Sequence, residues 1–215
     1  MKKLALVAGI SAALMSGIAS AHEAGSTILR AGGALVIANS HSSTKTATEI
    51  GLEVNNNAQL GLTGTYMFTD NVGVELLAAT PFSHKIDAHI PALGANLGTV
   101  AKVKHLPPSL YVQYYFLNKD SGSRPYVGVG LNYTRFFGAK SLNPAITNLQ
   151  VKKHSFGPVV NAGIDIKLTD NLYFNTALWY THIKTKAKFD ALNASHEVNI
   201  KLDPIVFFTG LAYRF

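Results

Sequence analysis

The carboxy-terminal stretch from Ile205 constrains the fold more than any other. Ile205, Phe207, Thr209, Leu211, Tyr213 and Phe215 share one parity, and Val206, Phe208, Gly210, Ala212 and Arg214 share the other. Strand side chains alternate between two faces with period two, so the pattern predicts a strand rather than a helix. One face is a row of apolar and aromatic side chains, and the strand finishes on an aromatic residue. Lipid suits such a face, with aromatics at the interface, and the last strand of an outer-membrane barrel presents one.

The start of the chain agrees with export. Lys2 and Lys3 precede an apolar core, Leu4 to Ala19, and Ala19-Ser20-Ala21 has the small residues of a cleavage site. Residues 1–21 are therefore expected to be a cleaved signal peptide, and 22–215 one barrel domain. Beyond the leader no apolar run is long enough for a spanning helix. Yet only 14% of residues are charged and the mean hydropathy is +0.16. A membrane chain without spanning helices has one backbone solution, the closed barrel, because lipid satisfies no amide groups. Without Lys2 and Lys3 the formal charge of +7 becomes +5 (17 basic against 12 acidic residues), which for an exported protein favours lipid phosphate or acidic sugar over nucleic acid, and the absence of cysteine excludes disulfides and thiolate chemistry.

The alternation recurs eight times. Strands are expected at about 26–37, 57–68, 72–80, 104–116, 124–137, 153–168, 172–183 and 198–215. Thr69-Asp70-Asn71 and Thr169-Asp170-Asn171 are tight turns built from residues that hydrogen-bond their own backbone. Connections alternate long and short, which predicts short periplasmic turns, long external loops and both termini on the periplasmic side. In the last strand Val198, Ile200 and Leu202 are apolar on the parity expected to face inward. The prediction is a bulge with a swap of faces near Asp203-Pro204, or an upper part standing above the bilayer.

One parity collects the apolar residues. The other collects Arg30, Gln59, Glu75, Gln113, Asn132, Asn161, Asp165, Lys167, Asn175 and Arg214. A lipid-facing wall around a polar lumen follows, with Arg30, Glu75, Asp165, Lys167 and Arg214 pairing inside it. Eight strands enclose side chains or one small ligand, which excludes a wide pore.

At this point the chain resembles the OmpW (outer-membrane protein W) family of small barrels. The resemblance rests on His22-Glu23-Ala24-Gly25, the block from Tyr66 to Phe82, His105-Leu106-Pro107-Pro108, the block from Arg124 to Tyr133, Leu178-Trp179-Tyr180, Asp203-Pro204 and Tyr213-Arg214-Phe215. It implies an eight-stranded barrel with a narrow hydrophobic channel toward its outer side, passing small hydrophobic ligands and releasing them through the wall. By position it makes Leu77 and Trp179 the constricting residues. No cofactor is expected, and no enzyme activity: Ser83 and His84 are adjacent, so their side chains diverge on any strand, and no third group completes a nucleophile–base pair.

The residues themselves weigh each site further. Leu77 and Trp179 are bulky apolar side chains on the lumen face at similar heights, and can form either a gate or an apolar plug that stabilises the barrel. Pro107, Pro108 and Pro204 each remove a ladder donor, so they are expected weak points of the wall; Pro158 is expected merely to end pairing. Tyr213 and Phe215 are the expected signal for the barrel assembly machinery. Lys184, Lys186 and Lys188 alternate and are candidates to meet lipopolysaccharide. His84, His89 and His105 are irregularly spaced, which favours loop histidines over a metal site. Ile86, Ile90, Leu93 and Leu97 are expected to form a lid, in a short helix. The alternative function is a structural barrel whose loops dock phage or toxin.

Overall fold

The computed structural model describes residues 22–44, 50–90, 94–191 and 194–215; the predicted leader and Leu93 lie outside them. The chain runs through β1 (Thr27–Ile37), β2 (His41–Thr44), β3 (Gly51–Val54), β4 (Asn57–Met67), β5 (Val72–Ala79), β6 (Phe82–Ile90), β7 (Ala95–Leu106) and β8 (Ser109–Tyr115). It continues through β9 (Ser123–Ser141), β10 (Thr147–Val151), β11 (His154–Lys167), β12 (Leu172–Thr181), β13 (Lys184–Ala191), β14 (Ala194–Lys201) and β15 (Ile205–Arg214).

Eight of these strands close a barrel in the order β1, β4, β5, β8, β9, β11, β12 and β15, with β15 returning antiparallel to β1. Closure leaves no edge in the membrane. The final strand is central to it: Phe207 and Leu211 pair with Leu35 and Ala31 of β1 and with Leu178 and Phe174 of β12. Its end is tied down where Phe215 and Thr27 exchange backbone hydrogen bonds. Outward residues such as Leu131 (68% exposed) and Phe156 (76% exposed) meet lipid, while the opposite parity is buried. At both Thr-Asp-Asn turns the threonine hydroxyl accepts a hydrogen bond from a backbone amide three residues on, 2.9 Å for Val72 and 3.1 Å for Leu172.

The long connections are not loops. They continue the barrel upward as a second storey of strands. β6 and β7 form a hairpin whose β7 arm pairs with the upper part of β9, and β3 joins its other edge. A second sheet of β10, β13, β14 and β2 completes the wall. A register shift between Lys102 and Lys104 coincides with Gly138 at φ 61, which lets β9 extend past the bilayer. The lid prediction fails for the same reason: Ile86 and Ile90 are inward residues of a strand, and Leu97 belongs to β7.

Of the two readings of Asp203-Pro204, the swap of faces does not occur, and the upper part of the last strand instead stands in the storey above the barrel. Val198, Ile200 and Leu202 point inward, and so do Val206 and Phe208 beyond the proline. What changes is the neighbourhood: β14 belongs to the upper sheet and β15 to the barrel, with a break at 202–204 between them. Above the lipid the apolar side chains turn inside and the charged ones outside, as in any water-facing wall.

Candidate functional site

The base of the barrel is sealed by a buried polar network. Arg30 on β1 donates from Nη1 to Glu75 Oε2 (2.9 Å) and from Nη2 to Asp165 Oδ2 (2.6 Å) and the Tyr115 hydroxyl (2.9 Å). Gln113 donates to Glu75 (2.8 Å), and Asn175 to Asp165 (2.7 Å). These groups come from strands distant in sequence, brought together because each lies on the inward parity at one height. Arg214 is also buried, but its partner is the Tyr173 hydroxyl at 2.8 Å rather than a carboxylate. Lys167 departs from the prediction. Its parity is inward, yet it lies at the periplasmic rim, exposed, and pairs with Asp170 of the turn at 3.0 Å.

Two groups that sequence reasoning missed finish the seal. His22 lies wholly buried beneath the network, with Nε2 3.1 Å from Asp165 Oδ2 and its ring edge-on to Tyr173. Arg124 donates to the backbone oxygens of His22, Asp70 and Phe116. The inward parity of Arg124 could have revealed it; nothing local distinguishes His22.

Above the network the lumen becomes apolar. Phe208 lies over Gly61, and its ring stacks on Trp179 with centroids 5.0 Å apart. Trp179 and Leu77 are both nearly fully buried and together line a small cavity of about 30 Å³. The predicted pair thus does come together around one space. Phe208, which continues the floor under Trp179, was visible as an inward aromatic of the last strand.

That cavity begins a series. His105 lines it and also lines a second cavity of about 20 Å³, bounded by Val54, His84, Phe136 and Ile200. Ile86, Val103 and Val151 are in turn shared with an outer vestibule of about 120 Å³, where Leu52, Ile146 and Phe189 also face the interior. Almost every lining side chain of the vestibule is apolar. Rings mark the junction: His84 and His105 stack with centroids 5.0 Å apart, and Phe82 and Phe136 flank His105 at 5.3 and 5.8 Å. Burial, reinforced by His84, pushes the His105 imidazole down to about 3, so it stays neutral. His84 is lowered too, by burial, against a backbone contact with Asn55. His89 does not join them in any ring contact.

The prolines differ in what they do. Between Leu77–Ser109, where the β5–β8 ladder ends, and Phe82–His105, where the β6–β7 ladder begins, the wall carries no strand pairing. Pro107 lies in that gap and lines the lower cavity, with Pro108 beside it. Pro204 lines the same cavity, but there Thr181 donates to the Pro204 oxygen (3.2 Å) and Leu202 to Ile183 (2.9 Å), so the wall stays bonded. Pro158 sits inside β11, paired opposite Leu131, so pairing does not end there. On the outer storey, Lys186 and Lys188 both pair with Glu197, while Lys184 stands opposite Lys201.

Known proteins share this fold. The OmpW family profile matches residues 23–215. Outer membrane protein W of Vibrio cholerae and that of Escherichia coli are each 42% identical over 219 aligned residues, covering the whole of both chains. The crystal structure of OprG from Pseudomonas aeruginosa superposes with a TM-score of 0.82 at 35% identity, over 91% of this chain and 98% of that one. The solid-state NMR structure of AlkL shares the fold, with a TM-score of 0.66 at 19% identity, covering 93% of this chain and 94% of that one. These relatives are outer-membrane barrels rather than enzymes, and the outer membrane is the location of this protein. With its eight-stranded barrel and full-length relatives, the chain belongs to the OmpW family.

Proposed function

We propose that the protein is a channel for small hydrophobic molecules, admitted from outside and released sideways into the membrane. The observation that carries this reading is the series of apolar cavities from the vestibule down to Leu77 and Trp179, ending above a sealed base. An apolar molecule gains by leaving water for such a lining. It gains nothing by continuing downward, since parting Arg30 from Glu75 and Asp165 strands buried charges at a cost of about 3–5 kcal/mol. The unpaired stretch of wall beside Pro107 opens at the same cavity and supports lateral release. Leu77 and Trp179 act as the gate that holds the ligand at this level.

Fluorescence tests this directly, because Trp179 is the only tryptophan. In lipid vesicles, 1-bromohexane is expected to quench Trp179, while phospholipid brominated on its acyl chains, which cannot enter the lumen, quenches it weakly. Equal quenching by the two would mean that bromine reaches the indole only from the bilayer, and would refute the channel.

A further inference from the structure

The lower cavity is mostly apolar, and two buried ring nitrogens of its lining residues have no hydrogen-bond partner. His105 Nδ1 and Trp179 Nε1 are both buried without a hydrogen bond, and both residues line the lower cavity. A buried polar atom left unpaired is destabilising, and most such atoms in folded proteins are satisfied. Here the cost falls on two residues that line one space. His105 is also the side chain common to the lower and middle cavities, so whatever passes between them passes its ring. Of the other polar side chains at the junction, His84 is engaged through Nδ1 with the Asn55 oxygen at 2.8 Å, Ser109 donates to the Pro107 oxygen and accepts from Asn132, and Thr181 adds a hydroxyl to the lower cavity's lining.

We propose that the lower cavity recognises a single hydrogen-bonding group on an otherwise apolar ligand, with His105 as the specificity-determining residue. The favoured class is the small alcohol or carbonyl compound, with its apolar body toward the vestibule and its polar end between His105 and Trp179. A neutral imidazole either donates or accepts at Nδ1 according to tautomer, so a hydroxyl or a carbonyl oxygen suits it. The indole only donates, and an oxygen acceptor suits that nitrogen as well. A pure hydrocarbon fills the same space but leaves both nitrogens unpaired. Selectivity then follows from the rule that a site with buried polar groups discriminates against the analogue that cannot pair them.

This inference rests on the channel reading, and one assay separates the two. Trp179 quenching in vesicles is titrated with 1-bromohexane and with 6-bromo-1-hexanol, for the wild type, His105→Phe and His105→Gln. Comparing each compound across the three proteins removes its partition into lipid. The ratio of bromohexanol to bromohexane affinity is expected to fall about five- to tenfold in His105→Phe, the worth of one buried hydrogen bond. It should be largely retained in His105→Gln, whose amide can still pair. Heat-modifiable migration of each variant on gels identifies the folded barrel, and the glutamine variant serves if phenylalanine does not assemble. A ratio unchanged in His105→Phe would mean that water alone satisfies the nitrogen, and would overturn the proposal. So would a ratio lost equally in both variants, which would give His105 a purely spatial role. Failure of both compounds to quench the wild type would remove the channel itself and this proposal with it.

Discussion

Replacing Arg30 by leucine is expected to abolish the folded barrel. Among the described residues the Arg30 guanidinium is the one cation in direct contact with both Glu75 and Asp165, and all three side chains are almost entirely buried. Its loss leaves two carboxylates in the lumen with neutral donors alone, apart from the His22 contact to Asp165. Breaking a buried ion pair by removing one partner costs about 3–5 kcal/mol. Against a typical stability of about 5–15 kcal/mol, that is a large fraction. Gel migration with and without heating reads the result. A companion variant tests the cause: adding Glu75→Gln and Asp165→Asn to Arg30→Leu removes the stranded charges and is expected to restore part of the folded form. Wild-type unfolding of Arg30→Leu alone would show that the network does not hold the base together.

The second large effect is expected at Gly32. Gly32 faces the lumen and pairs directly with Gly210 of β15 and Gly61 of β4. A Cβ on Gly32 would stand 2.1 Å from the Thr209 backbone oxygen, and one on Gly210 would stand 2.2 Å from that of Ala31. These are backbone atoms, so no rotamer change relieves them. The glycines let the wall curve tightly and leave room for Phe208, which lies 3.1 Å from the Cβ position of Gly61. Gly32→Val should therefore prevent closure, at a cost beyond the about 1–3 kcal/mol of ordinary overpacking. The neighbouring Gly33 points outward with nothing within 4 Å, so Gly33→Val should assemble normally. Equal behaviour of the two variants would contradict this account of the seam.

The difference between adjacent glycines also marks what the sequence made legible. Period-two alternation and the two Thr-Asp-Asn turns sufficed for strand number, order and the inward parity of Arg30, Glu75, Asp165, Leu77 and Trp179. The upper storey was legible only in the last strand, where the apolar parity of Val198, Ile200 and Leu202 allowed a part above the bilayer; elsewhere it escaped notice because the rule inverts at the membrane surface. β6 alternates as regularly as β5, but Phe82, Ile86 and Ile90 face inward while Ser83, Lys85 and Asp87 face out. A search for apolar residues facing lipid reads such a segment as a loop. Height was the other missing quantity. Parity places Lys167 inside, and only its position at the turn brings it to solvent. The stacking of His84 on His105 depends on pairing between β6 and β7, which irregular spacing in the chain conceals.

If ligand reaches the gate through the outer vestibule, filling the vestibule must stop whole-cell uptake. Ala101 is buried in the vestibule wall, far along β7 from the gate. In Ala101→Trp the indole occupies much of the roughly 120 Å³ of free space while the barrel and its base are untouched. Cells carrying a correctly assembled, heat-modifiable Ala101→Trp protein should take up a small hydrophobic compound no faster than cells lacking the protein. Uptake at the wild-type rate through the filled vestibule would contradict the claim.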